Sequence, residues 1–375
     1  MSQDSPQPGS PVDAEIITAP TMNAPVPQPM QIIIKQQGLL SRFWSWIGWT
    51  GFLLCLMALL SMTFKTQDYF NTTGGIQEKY HSGDKRADAK IAIIRVTGSI
   101  GRGDGYVKHQ IDRVRADENV KGIVLRVDSP GGTVTGSDFI YHHLTRLREE
   151  RQLPIVVSMG GMAASGGYYV SMAVGDQEKS IYAEPTTVTG SIGVVLPHYD
   201  VSGLMEDYRV KDDSIRSHPR KQMLAMTRAI PDDHRALLQA HVNSTLDRFI
   251  SIVKSGRPSL SEGEGLRAGE LDLATGEIFT PDQAKTYGLI DEIGFIEDAI
   301  ERVCEIQGLE LSEVRVVKFD PPPSLFGLPT LSAASQHASG PTSLLRALES
   351  TAPRTYFLCS SLPPLMTSAN YGRDE

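Results

Sequence analysis

The chain has 375 residues, 40% of them hydrophobic, which is enough for a domain with a sizeable buried core. Its formal charge of −8 at pH 7 leaves no basic footprint and argues against nucleic-acid binding. Cys55, Cys304 and Cys359 are its three cysteines and form no C-x-x-C pair. They imply neither a zinc site nor a disulfide framework; Cys304, in a helical pattern, reads as a small buried hydrophobe.

Residues 1–41 are rich in Pro, Gln and Ser and short of large apolar side chains before Ile32. Such a segment cannot bury enough surface to offset its ordering entropy and is expected to be disordered. Phe43–Phe64 is a run of 22 residues without a charge, bracketed by Arg42 and Lys65. As a helix it spans about 30 Å, the thickness of a bilayer core. Trp44, Trp46 and Trp49 crowd one end of it, as in an interfacial belt. The run starts late and is long for a signal peptide, so residues 42–65 are expected to be an uncleaved transmembrane anchor. Lys35 and Arg42 before the span, against Lys65 and Lys79 after it, barely decide its orientation by the positive-inside rule.

Residues 66–88 read as a polar linker, and from residue 89 the pattern becomes α/β. Ile91–Val96 and Gly122–Val127 are buried-strand runs, the second ending at Asp128-Ser129-Pro130-Gly131-Gly132. Ser137 is expected to cap a helix with Ile140, Leu144 and Leu147 on its apolar face. Pro154–Met159 is the next strand, followed by glycines and a second helical pattern. Strands alternating with helices imply a largely parallel sheet with right-handed crossovers. A longer helix is expected from about Pro231 to Lys254, with Leu238, Val242, Leu246, Phe249 and Val253 on one face. Another, near Glu297–Ile306, ends at Gly308. Residues 320–375 form a Pro- and Ser-rich tail in which Leu344–Leu348 suggests a short helix and Tyr356–Leu358 a short strand.

The chemistry centres on Gly160-Gly161-Met162-Ala163-Ala164-Ser165-Gly166-Gly167-Tyr168-Tyr169. Small residues crowd a strand end, and Ser165 stands where a helix begins. Free amides there stabilise an alkoxide or a tetrahedral oxyanion, and glycines let a substrate backbone approach. The same placement also suits a plain N-cap. Gly131 and Gly132, directly after a strand, can turn their amides outward as oxyanion donors, although Ser-Pro-Gly is also ordinary turn chemistry. A nucleophilic serine needs a base. None of the nine histidines lies in a glycine-rich turn; His142, His143 and His241 read as packing or surface residues. A lysine kept neutral by burial is the alternative, and the residues alone do not say which.

The segment Ala163–Tyr169 resembles the nucleophile motif of the signal peptide peptidase A family, and Asp128–Gly132 resembles the glycine turn upstream of it. Thr189–Val194 resembles the next landmark. Gln283-Ala284-Lys285, Gly288–Asp291 and Gly294 resemble the C-terminal signature. The likeness covers roughly residues 90–305, with every landmark in order. It implies a Clp-protease/crotonase-like domain of ββα units over residues 89–319, and a serine endopeptidase that needs no cofactor and no metal. Ser165 is then the nucleophile, Lys221 in Ser217–Gln222 the base, and Gly132 and Gly166 the oxyanion donors. His218, Arg220 and Gln222 depart from the family's residues around that lysine; Lys211 is the second candidate. Ser191 is expected to pack beside the site. The resemblance further implies an inner-membrane protein with its N-terminus in the cytoplasm and its catalytic domain outside. Its partners would be peptide substrates such as remnant signal peptides and unfolded chains, the lipid bilayer and a ring-shaped homo-oligomer, with no nucleic acid. That resemblance also allows the dyad to be completed between neighbouring subunits. Two other classes compete: a crotonase-like acyl-CoA enzyme of the same fold, and a decayed membrane scaffold.

Overall fold

The structure, a computed structural model, describes residues 39–70, 73–321 and 355–358, with the side chains of the first helix described from Trp46 to Met62. Of residues 1–41, expected to be disordered, 1–38 lie outside these residues and 39–41 open the first helix; the expected short helix at Leu344–Leu348 and Cys359 also lie outside. The chain divides into two units, Met1–Thr63 and Phe64–Glu375.

Helix α1, Leu39–Phe70, contains the uncharged run. Trp46, Trp49, Phe52, Leu53, Met57 and Leu60 on it are all exposed. Among the described residues no helix is long and apolar enough to cross a membrane.

The second unit contains the remaining elements. Its strands are β1 Gln77–Gly83, β2 Lys90–Thr97, β3 Val120–Ser129, β4 Gly131–Thr133, β5 Ile155–Ala164, β6 Ile181–Ala183, β7 Val188–Gly190, β8 Arg267–Ala268, β9 Leu271–Asp272, β10 Ile278–Phe279, β11 Glu292–Ile293, β12 Arg315–Asp320 and β13 Tyr356–Leu358. Its helices are α2 Tyr106–Ala116, α3 Val134–Arg151, α4 Gly166–Ser171, α5 Ser202–Asp207, α6 Asp232–Gly256, α7 Pro281–Thr286 and α8 Ile296–Gln307. The main sheet runs β1-β12-β2-β3-β5-β6-β11, with β7 joined to β5 and β10 to β7. Neighbours from β12 to β11 are parallel, whereas β1 and β10 add antiparallel edges. The sheet is therefore mixed, as expected of a largely parallel one with capped edges. Residues 77–83, which read as linker, form an edge strand.

Side-chain alternation along the strands supplies two cores. Ala92, Ile94, Val96, Ile123, Leu125 and Val127 pack with Ile111 and Val114 of α2 and Ile140, Leu144 and Leu147 of α3. Ile91, Ile93, Val124 and Val156 pack on the other face against Ile300, Val303 and Cys304 of α8. Cys304 is the buried hydrophobe expected, and burial pushes its thiol pKa up. Three boundaries differ from the reading of the sequence. Thr133, not Ser137, caps α3: its side chain accepts from the Gly136 N–H, while Ser137 Oγ, one turn in, donates to the Thr133 carbonyl. Strand β5 continues through Gly160 and Gly161 as far as Ala164, so the nucleophile candidate follows the strand directly. In α6 only Phe249 and Val253 of the expected stripe are fully buried, while Leu238, Val242 and Leu246 are half-buried.

Candidate active site

Two strands leave the sheet side by side and each ends in a glycine turn. Strand β3 ends at Ser129, whose Oγ donates to the Gly98 carbonyl (2.7 Å) and accepts from the Gly131 N–H (3.1 Å). Strand β5 delivers Ser165. The Asp128 carboxylate ties the two strands by accepting from the Met162 N–H at 3.1 Å.

Ser165 has φ 53° and ψ −113°, a conformation that L residues avoid and that costs roughly 1–3 kcal/mol. Two backbone bonds hold it there: its N–H donates to the Gly190 carbonyl (2.8 Å), and its carbonyl accepts from the Tyr169 N–H (2.8 Å). The side chain makes no capping bond. Its hydroxyl is buried and without a hydrogen-bond partner, a state that costs stability and is retained where it serves chemistry. Ser165 is thus not a plain N-cap.

The two turns meet closely. A methyl group on Gly166 would lie 3.2 Å from the Gly132 nitrogen and 3.1 Å from the Gly131 Cα. On Gly132 it would strike the Ile100 backbone, and on Gly167 it would stand 2.7 Å from the Ser129 carbonyl oxygen. Gly131 adopts φ 98°. Only glycine permits this approach of backbone to backbone. The amides of Gly132 and Gly166 therefore share one corner beside Ser165.

Ser191 has φ 51° and is buried, with its N–H donating to the Glu277 carbonyl at 2.6 Å. It belongs to the wall that receives the Ser165 N–H. The C-terminal signature is structural too. Thr280 and Gln283 form a capping box on α7. Asp291 accepts from the Ser180 and Ile181 amides and pairs with the buried Arg257 at 2.9 Å.

Lys221 is exposed, in the 3-10 turn Pro219–Gln222, and makes no hydrogen bond to Ser165. Arg220 pairs with Asp233 at 3.7 Å rather than facing the site. Lys211 is exposed as well. The same region exposes Tyr199, Leu204, Tyr208, Val210 and Ile215.

Of the candidate histidines, His142 and His241 are exposed and His143 is half-buried on α3, its pKa lowered by burial and by neighbouring cations. Sequence reasoning missed one cluster. The Tyr169 hydroxyl donates to Asp138 (2.6 Å), and Arg248 pairs with that carboxylate (2.6 Å). Burial and the Asp138 charge push the Tyr169 hydroxyl pKa far upward, so it stays a neutral donor.

Comparison with known proteins agrees with this geometry. The model of peptidase family S49 matches residues 148–310 and that of Clp protease residues 90–194. A Synechocystis sp. protein whose name places it among proteases is 34% identical over 236 residues, 63% of this chain and 81% of its own length. Protease 4 of Salmonella typhi is 35% identical over 229 residues, 59% of this chain but 35% of its own length. The chloroplast serine protease SPPA of Arabidopsis thaliana is 31% identical over 248 residues, 63% of this chain and 35% of its own. A serine freed of structural duty, two glycine amides at its side and these relatives converge: the chain belongs to peptidase family S49, as a serine peptidase of the signal peptide peptidase A type.

Proposed function

We propose that this peptidase hydrolyses remnant signal peptides and other short or unfolded chains through a Ser–Lys dyad, at the outer face of the membrane that α1 anchors it to. The observation that carries the mechanism is Ser165: strained, buried, unpartnered in its hydroxyl, and flanked by the Gly132 and Gly166 amides. Ser165 Oγ attacks the peptide carbonyl while Lys221 accepts its proton and returns it to the leaving amine. The two amides stabilise the oxyanion, a single such donor being worth about a hundredfold or more in rate. Lys221 reaches Ser165 from a neighbouring subunit of a homo-oligomer. The exposed lysine turn and the apolar side chains around it favour that assembly.

The anchor rests on the uncharged run Phe43–Phe64 and on a helix that is apolar on every described side. Washing membranes that carry the full chain with alkaline carbonate tests it. Retention in the pellet is expected. Release of an intact chain into the supernatant would exclude the anchor, while hydrolysis of signal-peptide fragments by that chain would leave the catalytic reading standing.

A further inference from the structure

We infer that Asp128 is a positioning residue for the peptidase reaction: together with Thr187 it holds a two-residue bulge in β5 that draws Ser165 back beside the glycine turn. This rests on the proposed role of Ser165 as the nucleophile.

Strands β3 and β5 keep a regular parallel register from Ile123 opposite Ile155 to Val127 opposite Met159, and the next pair is Ser129 opposite Ala163. Asp128 alone therefore faces Gly160, Gly161 and Met162, two residues more than a regular ladder takes. In an unbroken register Ser129 would meet Gly161. Ser165 would then lie two residues, about 6.6 Å, further past the end of β3. The bulge takes up that length. Counted on from Ser129 and Ala163, Ser165 now falls level with Gly131. A methyl group on Gly131 would accordingly stand 2.7 Å from the nitrogen of the next residue, Gly166. The bulge thus sets how close the serine comes to its oxyanion donors.

Two side chains pin it, one from each side of β5. The Asp128 backbone carbonyl is turned away, accepting from the Gly98 N–H at 2.9 Å. Its carboxylate serves β5 instead, accepting from the Met162 N–H at 3.1 Å. On the other side β5 changes partner across the bulge, from β6, with Met159 opposite Ala183, to β7, with Met162 opposite Val188. In that gap the buried Thr187 donates its hydroxyl to the Gly160 carbonyl at 2.6 Å. Gly161, between the two pinned groups, is exposed, so hydrogen bonds rather than packing fix its height. Bulges beside active sites commonly re-aim a side chain in this way. Asp128 touches neither Ser165 nor the oxyanion corner; it acts through the three residues that lead from Met162 to the nucleophile.

Loss of either pin lets the bulge relax and moves Ser165 along the strand relative to Gly132 and Gly166. A misplacement of about 1 Å can cost about a hundredfold in rate. The loss falls on the reacting geometry and not on the groove, so it belongs to kcat and not to KM.

The test measures, on the full chain, steady-state hydrolysis of a signal-peptide fragment and the rate at which a fluorophosphonate acylates Ser165. Asp128→Ala is expected to lower kcat and the acylation rate together by about ten- to a hundredfold, with KM unchanged. Asp128→Asn keeps an accepting oxygen without the charge and should recover most of both rates. Thr187→Val, nearly the same shape but without the donor, covers the case in which the alanine variant fails to fold; it should slow both rates several-fold at unchanged KM. A residue with only a structural role would lower the melting temperature and leave acylation per folded chain as in wild type. That result in either folded variant, or an Asp128→Asn as slow as Asp128→Ala, would overturn the inference while Ser165 remains the nucleophile. A wild-type chain that hydrolyses the peptide but is not acylated at Ser165 would overturn the nucleophile as well.

Discussion

Replacing Ser165 with alanine is expected to abolish peptide hydrolysis, by on the order of a million-fold where chemistry is rate-limiting, while leaving the melting temperature nearly unchanged. The hydroxyl has no hydrogen-bond partner, so its removal forfeits no native bond. A serine that merely capped α4 would behave in the opposite way, losing about 1 kcal/mol of stability and no activity. Glycine sharpens the contrast. At φ 53° and ψ −113° a Cβ is a strain and its absence a relief. Ser165→Gly should therefore be as inactive as the alanine variant yet more stable than wild type by about 1 kcal/mol. Turnover and thermal unfolding measured on the three proteins together check both halves. An active Ser165→Ala, or a Ser165→Gly markedly less stable than wild type, would contradict the assignment.

The second large effect concerns Lys221. Lys221→Ala should lower turnover by about a thousandfold or more, the scale of a lost general base. Lys221→Arg should not restore it, because guanidinium stays protonated. Lys211→Ala should leave most activity intact. Since Lys221 is exposed and unbonded to Ser165 within one chain, the inactive Ser165→Ala and Lys221→Ala proteins are expected to complement each other. In a head-to-tail ring, random mixing leaves about a quarter of the sites with both groups intact. Mixed after dissociation and reassembly, the pair should regain activity on that order. Full activity of Lys221→Ala alone would remove this lysine from the mechanism; its loss without complementation would place the dyad inside one chain.

Much of this arrangement was legible because local pattern and local structure coincide. Ile91–Val96 and Gly122–Val127 are apolar runs interrupted only by Arg95 and Arg126, close to the near-continuous pattern of parallel strands buried on both faces. Ser165, Gly131 and Gly132 stand out because turns this tight admit only small residues. The cap of α3 was misplaced because Thr133 and Ser137 are both good capping types, and only the chain's path past Gly101 selects Thr133. The Asp138–Tyr169–Arg248 cluster was invisible because its members are 31 and 110 positions apart and unremarkable singly. Tyr356–Leu358 reads as a strand from its side chains alone. That it pairs with Gly131–Thr133, with Phe357 buried and stacked on Tyr169 at 5.0 Å, rests on contacts between distant residues that no local pattern encodes. Lys221 is the counterexample: its turn is exposed, and within one chain it makes no hydrogen bond to Ser165.

The central claim, that Ser165 is the nucleophile, is tested most directly by acylation. The full chain is treated with a fluorophosphonate, which bonds covalently only to a serine oxygen activated beside oxyanion donors, and the modified residue is located by peptide mapping. One adduct per chain is expected on the peptide carrying Ser165, in step with loss of hydrolysis, and none in Ser165→Ala. An adduct on Ser191, or hydrolysis that persists after Ser165 is fully modified, would contradict it.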